Sequence, residues 1–227
     1  MQARPHDVVV NYADDAAAAE AVVAEVRASG RRALAVRADV SDESDVEALF
    51  DAAAELGPVT GLVANAGVSG GVRGRVDEIP ADAVRRVLDV NVLGVFLCLR
   101  AAVRRMSTRH GGPGGAIVAV SSTAARRGSP GEWAHYAASK AAVETLAYGL
   151  ALEVAGEGVR VNTIAPGVVR TDLHAAAGDP GRADRLGARI PIGRPGEPDE
   201  IAAGIVWLLG PEAAFVTGAV LPVSGGF

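Results

Sequence analysis

Tyr136 and Lys140 stand four residues apart in the stretch Trp133 to Ala155, whose Ala- and Leu-rich make-up predicts a helix. That spacing puts both side chains on one helical face. An ammonium beside a phenol favours the phenolate and is expected to lower its pKa from about 10 toward neutrality. A phenol tuned in this way gives a proton to a carbonyl oxygen, or takes one from an alcohol, at working pH. The chain has one lysine against 21 arginines. A surface cation can be either residue, whereas a site that needs a compact ammonium does not accept a planar fork. Ser122 closes an apolar run just before this helix. A hydroxyl there can hydrogen-bond a substrate oxygen and stabilise developing charge. Ser121 and Thr123 beside it carry the same group. Asn91 interrupts the apolar run Leu88 to Leu93. Asn is a poor interior helix residue, and a buried one needs partners.

These side chains need a frame to hold them. Strands are expected at 6–12, 32–37, 60–64, 116–121, 160–164 and 219–223, nearly continuously apolar as buried parallel strands are. Between them lie helical patterns from Asp14 or Asp15 to Ser29, from Ser41 to about Leu56, from Pro80 or Ala81 through Asn91 to about Thr108, from Trp133 to Ala155, and from Pro198 to Leu209. Alternating strands and helices argue for an α/β fold: a doubly wound parallel sheet in three α/β/α layers. Ligands of such sheets bind beyond the carboxyl ends of the strands. Asn11-Tyr12, Asp39-Val40, Asn65-Ala66-Gly67, Ser121-Ser122 and Pro166-Gly167 are therefore expected to converge on one crevice.

Composition narrows the function classes. Hydrophobic residues make up 49% of the chain and aromatics only 4%, so the core is built from Ala, Val, Leu and Ile. Residues 1–227 read as one domain, with no repeat and no linker. The net charge of -5 is interspersed, which argues against nucleic acid. The single cysteine, Cys98, reads as a small core residue. No run of 18 apolar residues and no signal peptide is present, so a soluble, cytoplasmic protein without a membrane partner is expected. No metal site is expected.

The motifs taken together resemble the short-chain dehydrogenase/reductase family over essentially the whole chain. They are Asn65-Ala66-Gly67, Asn91-Val92-Leu93-Gly94, Ser121-Ser122, Tyr136-Ala137-Ala138-Ser139-Lys140, and Asn162-Thr163-Ile164-Ala165-Pro166-Gly167 followed by Thr171. The tail from Val216 to Gly226 resembles the family's last strand. The resemblance implies an NAD(P)-dependent oxidoreductase interconverting a carbonyl and an alcohol by hydride transfer, similar to 3-oxoacyl-carrier-protein reductases or to sugar and alcohol dehydrogenases. It makes Tyr136 the general acid/base and Lys140 its electrostatic partner and a ligand of the nicotinamide ribose. It gives Ser122 the substrate oxygen, and Asn91 a water in a proton relay. Asp39 and Val40 would border the adenine, and Asn65, Ala66 and Gly67 the adenosine side. Pro166, Gly167, Val169 and Thr171 would hold the nicotinamide. A small-molecule substrate and a homotetramer are implied as partners. The substrate would be shaped by Trp133 and by the loop from His174 to Pro195, whose Arg182, Arg185, Arg189 and Arg194 either meet an anionic substrate or form a solvated face.

One family feature has no counterpart here. The family opens on a strand, a glycine-rich phosphate-binding loop and a helix; no G-x-G-x-x-G occurs in this chain. The first βα unit is therefore expected to be missing. Its strand would lie centrally, between those at Val8 and Leu62, and its helix terminus would hold the pyrophosphate. Either those two strands pair directly or something else fills the gap. Where NAD-using members tend to place an acid at the end of the second strand, this chain has Asn11-Tyr12, with Asp14 and Asp15 a little later at the helix start, which within the family leans toward NADP(H) over NAD(H). The competing expectation is a non-catalytic, cofactor-free remnant that serves as a partner subunit. The retention of Tyr136, Lys140, Ser122 and Asn91 together favours the enzyme.

Overall fold

The structure, a computed structural model, describes residues 6–227 apart from 172, 174, 176 and 177. Among the described residues six strands are present: β1 (Val8–Tyr12), β2 (Ala33–Arg37), β3 (Gly61–Ala64), β4 (Gly115–Val120), β5 (Val159–Pro166) and β6 (Val220–Val223). The helices are α1 (Ala16–Ala28), α2 (Glu43–Ala54), α3 (Ala81–Leu88), α4 (Val95–Met106), α5 (Ala124–Arg127), α6 (Ala134–Val154), α7 (Arg182–Gly187) and α8 (Pro198–Leu209). Local chemistry sets several starts. The Asp15 carboxylate accepts from the Ala18 N–H at 2.9 Å, and Asp42 accepts from those of Ser44 and Asp45 at 2.8 and 3.0 Å. Pro198 occupies the first turn of α8, where its missing N–H costs nothing.

The long helix expected from Ala81 to Thr108 is broken. A π-helical segment, Asp89–Gly94, separates α3 from α4, and α4 ends at Met106. The widened turn carries Asn91, the residue least suited to a regular helix interior. Such bulges concentrate at functional positions.

Alternation along β4 and β5 builds the layers. Ile117, Ala119, Val159 and Val161 face one core with α2, α4 and α6. Val118, Val120 and Ile164 face a second core against α8. Odd and even positions thus point to opposite faces of the sheet, giving the expected α/β/α sandwich. All strand pairs are parallel.

The sheet is split. One part has the order β1-β2 and the other β3-β4-β5-β6. β1 and β3 do not pair with each other. Their facing edges instead line a cavity of about 550 Å³, walled also by Leu49 and Phe50 of α2 and by Val95 and Cys98 of α4. Of the two outcomes the sequence left open, direct pairing is the one that fails. Cys98 is buried as expected, and burial pushes its thiol up to about 11.

Candidate active site

The carboxyl ends of β3, β4 and β5 open onto one cavity of about 1050 Å³. Its wall includes Asn65, Gly67, Ser122, Tyr136, Lys140, Pro166, Gly167, Val169 and Thr171. Nine of the expected site residues are thereby brought together. The ends of β1 and β2 are not part of this wall, so three strand ends converge rather than five. Val40 and Ala66 border the cavity between β1 and β3, and Asn65 borders both. Asp39 lines neither. Its carboxylate is bound locally, accepting from the Ser41 N–H at 2.9 Å and hydroxyl at 2.6 Å, and these bonds hold its pKa down.

Tyr136 and Lys140 project from one face of α6. The Lys140 ammonium is 3% exposed and donates to the Val120 carbonyl at 2.7 Å. Its Nζ lies 5.7 Å from the centroid of the Tyr136 ring. Burial lowers the ammonium pKa to about 8. The phenol does not show the expected downward shift. Burial pushes its pKa up, and a hydrogen bond to the Ser122 hydroxyl opposes that push. Desolvation is the larger of the two effects.

The adjacent serines are told apart by their partners. The Ser121 hydroxyl is 3.1 Å from the Lys140 carbonyl and 3.0 Å from Glu144 Oε1, so it is engaged beneath the site. The Ser122 hydroxyl accepts from the Ala124 N–H at 3.1 Å and bonds Tyr136. Both serines line the cavity, and the Ser122 hydroxyl is the one that bonds the phenol.

Asn91 is fully buried. Its Oδ1 accepts from the Val68 N–H at 2.8 Å, and its Nδ2 donates to the Val68 carbonyl at 2.9 Å and the Ser139 hydroxyl at 3.0 Å. Both donors are spent on protein, so the side chain ties the loop after β3 to α6. Ser139 completes the tie by donating to the Tyr136 carbonyl at 2.7 Å. Gly67 is pressed into the same corner: a Cβ there would stand 3.2 Å from Lys140 Nζ and 3.3 Å from Asn91 Oδ1.

Sequence reasoning missed His135, the neighbour of Tyr136. It is buried, and its Nε2 lies 3.0 Å from the Ser69 carbonyl, a second tie between α6 and the β3 loop. The only available signal was a lone imidazole beside the tyrosine. Of the arginines left open, Arg182 pairs with Glu132 through two contacts of 2.6 Å, Arg185 pairs with Asp179 and Arg194 with Glu200. Arg189 lines the cavity. His174, the start of the expected specificity loop, lies outside the described residues.

The whole chain, residues 1–227, matches the family model described as enoyl-(acyl carrier protein) reductase. This chain belongs to the short-chain dehydrogenase/reductase family. It is an oxidoreductase. An uncharacterised oxidoreductase of Escherichia coli, YgfF, is 46% identical over 222 residues, covering 97% of this chain and 90% of that protein. The cis-4-hydroxycyclohexanecarboxylate dehydrogenase of Sinomonas cyclohexanicum is 42% identical, covering 94% of this chain and 84% of the relative. A short-chain dehydrogenase from Burkholderia cenocepacia, solved in complex with NADP, superposes with a TM-score of 0.86 at 35% identity, covering 97% and 86% of the two chains.

Proposed function

We infer that this short-chain dehydrogenase/reductase interconverts a carbonyl and an alcohol by hydride transfer, with Tyr136 as general acid/base. The observation that carries the reading is the meeting of Tyr136, Ser122 and Lys140 on one large cavity with Pro166, Gly167, Val169 and Thr171. The donor set suits the nicotinamide end of NAD(P)H: a buried ammonium, a hydroxyl at Thr171 and a turn free of bulky side chains. A nicotinamide cofactor bound there supplies or takes the hydride. Ser122 and Tyr136 donate to the substrate oxygen and fix it. In the reductive direction the phenolic proton passes to that oxygen as the carbonyl becomes an alcohol; in reverse the phenol oxygen takes the alcohol's proton. Lys140, mostly charged at pH 7 with its pKa near 8, offsets the phenolate. Asn91 and His135 position the loop after β3 against α6.

The NADP complex of the Burkholderia relative and the Asn11-Tyr12 pair at the end of β1, where an acid would bond the ribose of NAD, support NADP(H) over NAD(H). The split sheet supports a further reading: the fold lacks one strand between β1 and β3, with the phosphate-binding loop that such a strand would carry. Asp39, Val40 and Ala66 would border the adenosine only once that unit is present. Residues 1–227 act as one domain in this reading, because α2 and α4 pack on each other across the gap. Exposed apolar side chains support a homotetramer: Leu93, Phe96, Tyr148 and Leu152 on the bulged helix and α6, and Val206 and Trp207 on α8. The protein would work in the cytoplasm.

The test is Tyr136→Phe, assayed by NAD(P)H absorbance with a panel of ketones and aldehydes. Loss of the ionisable hydroxyl is expected to lower turnover by about 10²- to 10⁴-fold with the fold intact. Retention of more than about a tenth of the activity would remove Tyr136 from the proposed role.

A further inference from the structure

We propose that the substrate carries a carboxylate on an apolar body, and that Arg127, with Arg189 lining the same cavity, receives that carboxylate. The inference rests on the oxidoreductase reading of the same cavity.

Positive charge is left over at the cavity. Five cationic residues line the cavity: Arg73, Arg127, Lys140, Arg182 and Arg189. The acid among the described lining residues is Glu132. Glu132 is already taken by Arg182 at 2.6 Å and by Arg73 at 3.1 Å. Arg73 also reaches Asp179 at 3.3 Å. The Lys140 charge is buried beside the tyrosine. Arg127 and Arg189 have no carboxylate partner among the described residues. A protein of net charge -5 thus holds a positive wall at its catalytic cavity, which draws anions in.

Arg127 is also held in place. It ends α5, the short helix that starts two residues after Ser122, so its backbone is tied to the catalytic strand end. Its guanidinium carbon stands 3.6 Å from the centroid of the Phe227 ring. Stacking occupies one face of the planar group and leaves its N–H edge free for a two-pronged carboxylate contact. The surroundings are apolar: Phe227 packs with Val168, Leu186 and Ile190, and Trp133 lies on the same wall under Arg182. An anion with a hydrocarbon body meets both features. A sugar-like polyol would leave the apolar wall unused.

The experiment compares one cyclic keto acid with its methyl ester, which keeps the shape and removes the charge. Calorimetric titration of each into the protein is run beside turnover with NADPH. The expected result is about tenfold or greater preference for the acid in affinity and KM, with kcat little changed, falling as salt is raised. Arg127→Ala is expected to abolish that preference, and Arg127→Lys to restore only part of it, while NADPH affinity by fluorescence stays unchanged. Equal handling of acid and ester overturns the inference and leaves the oxidoreductase reading standing. A fall in NADPH affinity in Arg127→Ala, with the acid preference intact, also overturns it, because the arginine would then serve the cofactor's phosphates. If neither compound nor any neutral ketone turns over at NADPH concentrations shown by fluorescence to saturate the protein, the oxidoreductase reading fails, and the calorimetric acid-to-ester ratio still decides the carboxylate site.

Discussion

Replacing Lys140 with Met separates the chemical from the structural part of the site, because the two states of the lysine leave opposite marks on stability. Lys140 is 3% exposed and its pKa is lowered from 10.5 to about 8 by burial. In the unfolded chain it titrates near the ordinary value. Between those values the unfolded chain binds a proton that the folded chain has released, so stability rises with pH. Linkage over the two pH units from about 8 to 10 gives a gain of ~2 kcal/mol from this residue alone. Tyr136 acts with the opposite sign, but only above pH 10, where its unfolded phenol ionises and its buried one does not. Within pH 8 to 10 the buried Cys98 thiol, pushed up to about 11, also acts with the opposite sign, so the lysine is read from the difference between the two proteins. Met keeps the length and apolar stem and cannot titrate. Urea denaturation of both proteins at pH 7.5, 8, 9 and 10 gives the difference directly, other groups cancelling. The variant's advantage over wild type is expected to shrink by ~2 kcal/mol across that window. Parallel curves would mean that Lys140 titrates normally and that burial does not tune it.

Three further outcomes follow from packing. Gly94→Ala places a Cβ 2.8 Å from Val40 Cγ2 and 3.1 Å from the Val40 carbonyl oxygen, and is expected to cost ~1–3 kcal/mol by chemical denaturation; a change below about 0.5 kcal/mol would show that the bulged helix can retreat from Val40. A version extended at its start by a strand, a glycine-rich loop and a helix is expected to melt higher and to bind NADPH about a thousandfold more tightly, since two or three charge-assisted pyrophosphate contacts are added; equal affinity of the two forms would sink the missing-unit reading. Light scattering at micromolar concentration is expected to give a tetramer, and Leu152→Glu, at a side chain 65% exposed, to dissociate it; a monomeric wild type contradicts the assembly.

The alternation of strands and helices was legible because buried parallel strands are short apolar runs and their boundaries are marked by Gly, Pro and capping Asp. The Tyr136–Lys140 face was legible because helical spacing is fixed. The π segment was not, since a one-residue widening leaves no periodic trace; the misfit of Asn91 was its only sign. The direction of the Tyr136 shift was misjudged for a related reason. A sequence gives the spacing of a cation and a phenol but not their shared burial, and burial dominates here. The ion pairs of Arg182, Arg185 and Arg194 were likewise invisible, as their partners Glu132, Asp179 and Glu200 are fixed only by tertiary packing.

The split of the sheet separates the residues proposed for proton transfer from those proposed for the adenosine. Ser122 ends β4, Pro166 and Gly167 end β5, Tyr136 and Lys140 ride on α6, and Asn91 sits in the bulge before α4. All of these belong to the four-stranded part or to helices packed on its core. The residues that the family resemblance gave to the adenosine, Asp39 and Val40, follow β2, across the gap. The reacting half of the site and the adenosine half are therefore held by different sheets, joined through α2 against α4 and through Val40 against Gly94. A strand inserted between β1 and β3 would bring the two halves into one continuous sheet. Its greatest effect on function should accordingly fall on cofactor affinity, with the proton-transfer geometry at Tyr136 unchanged.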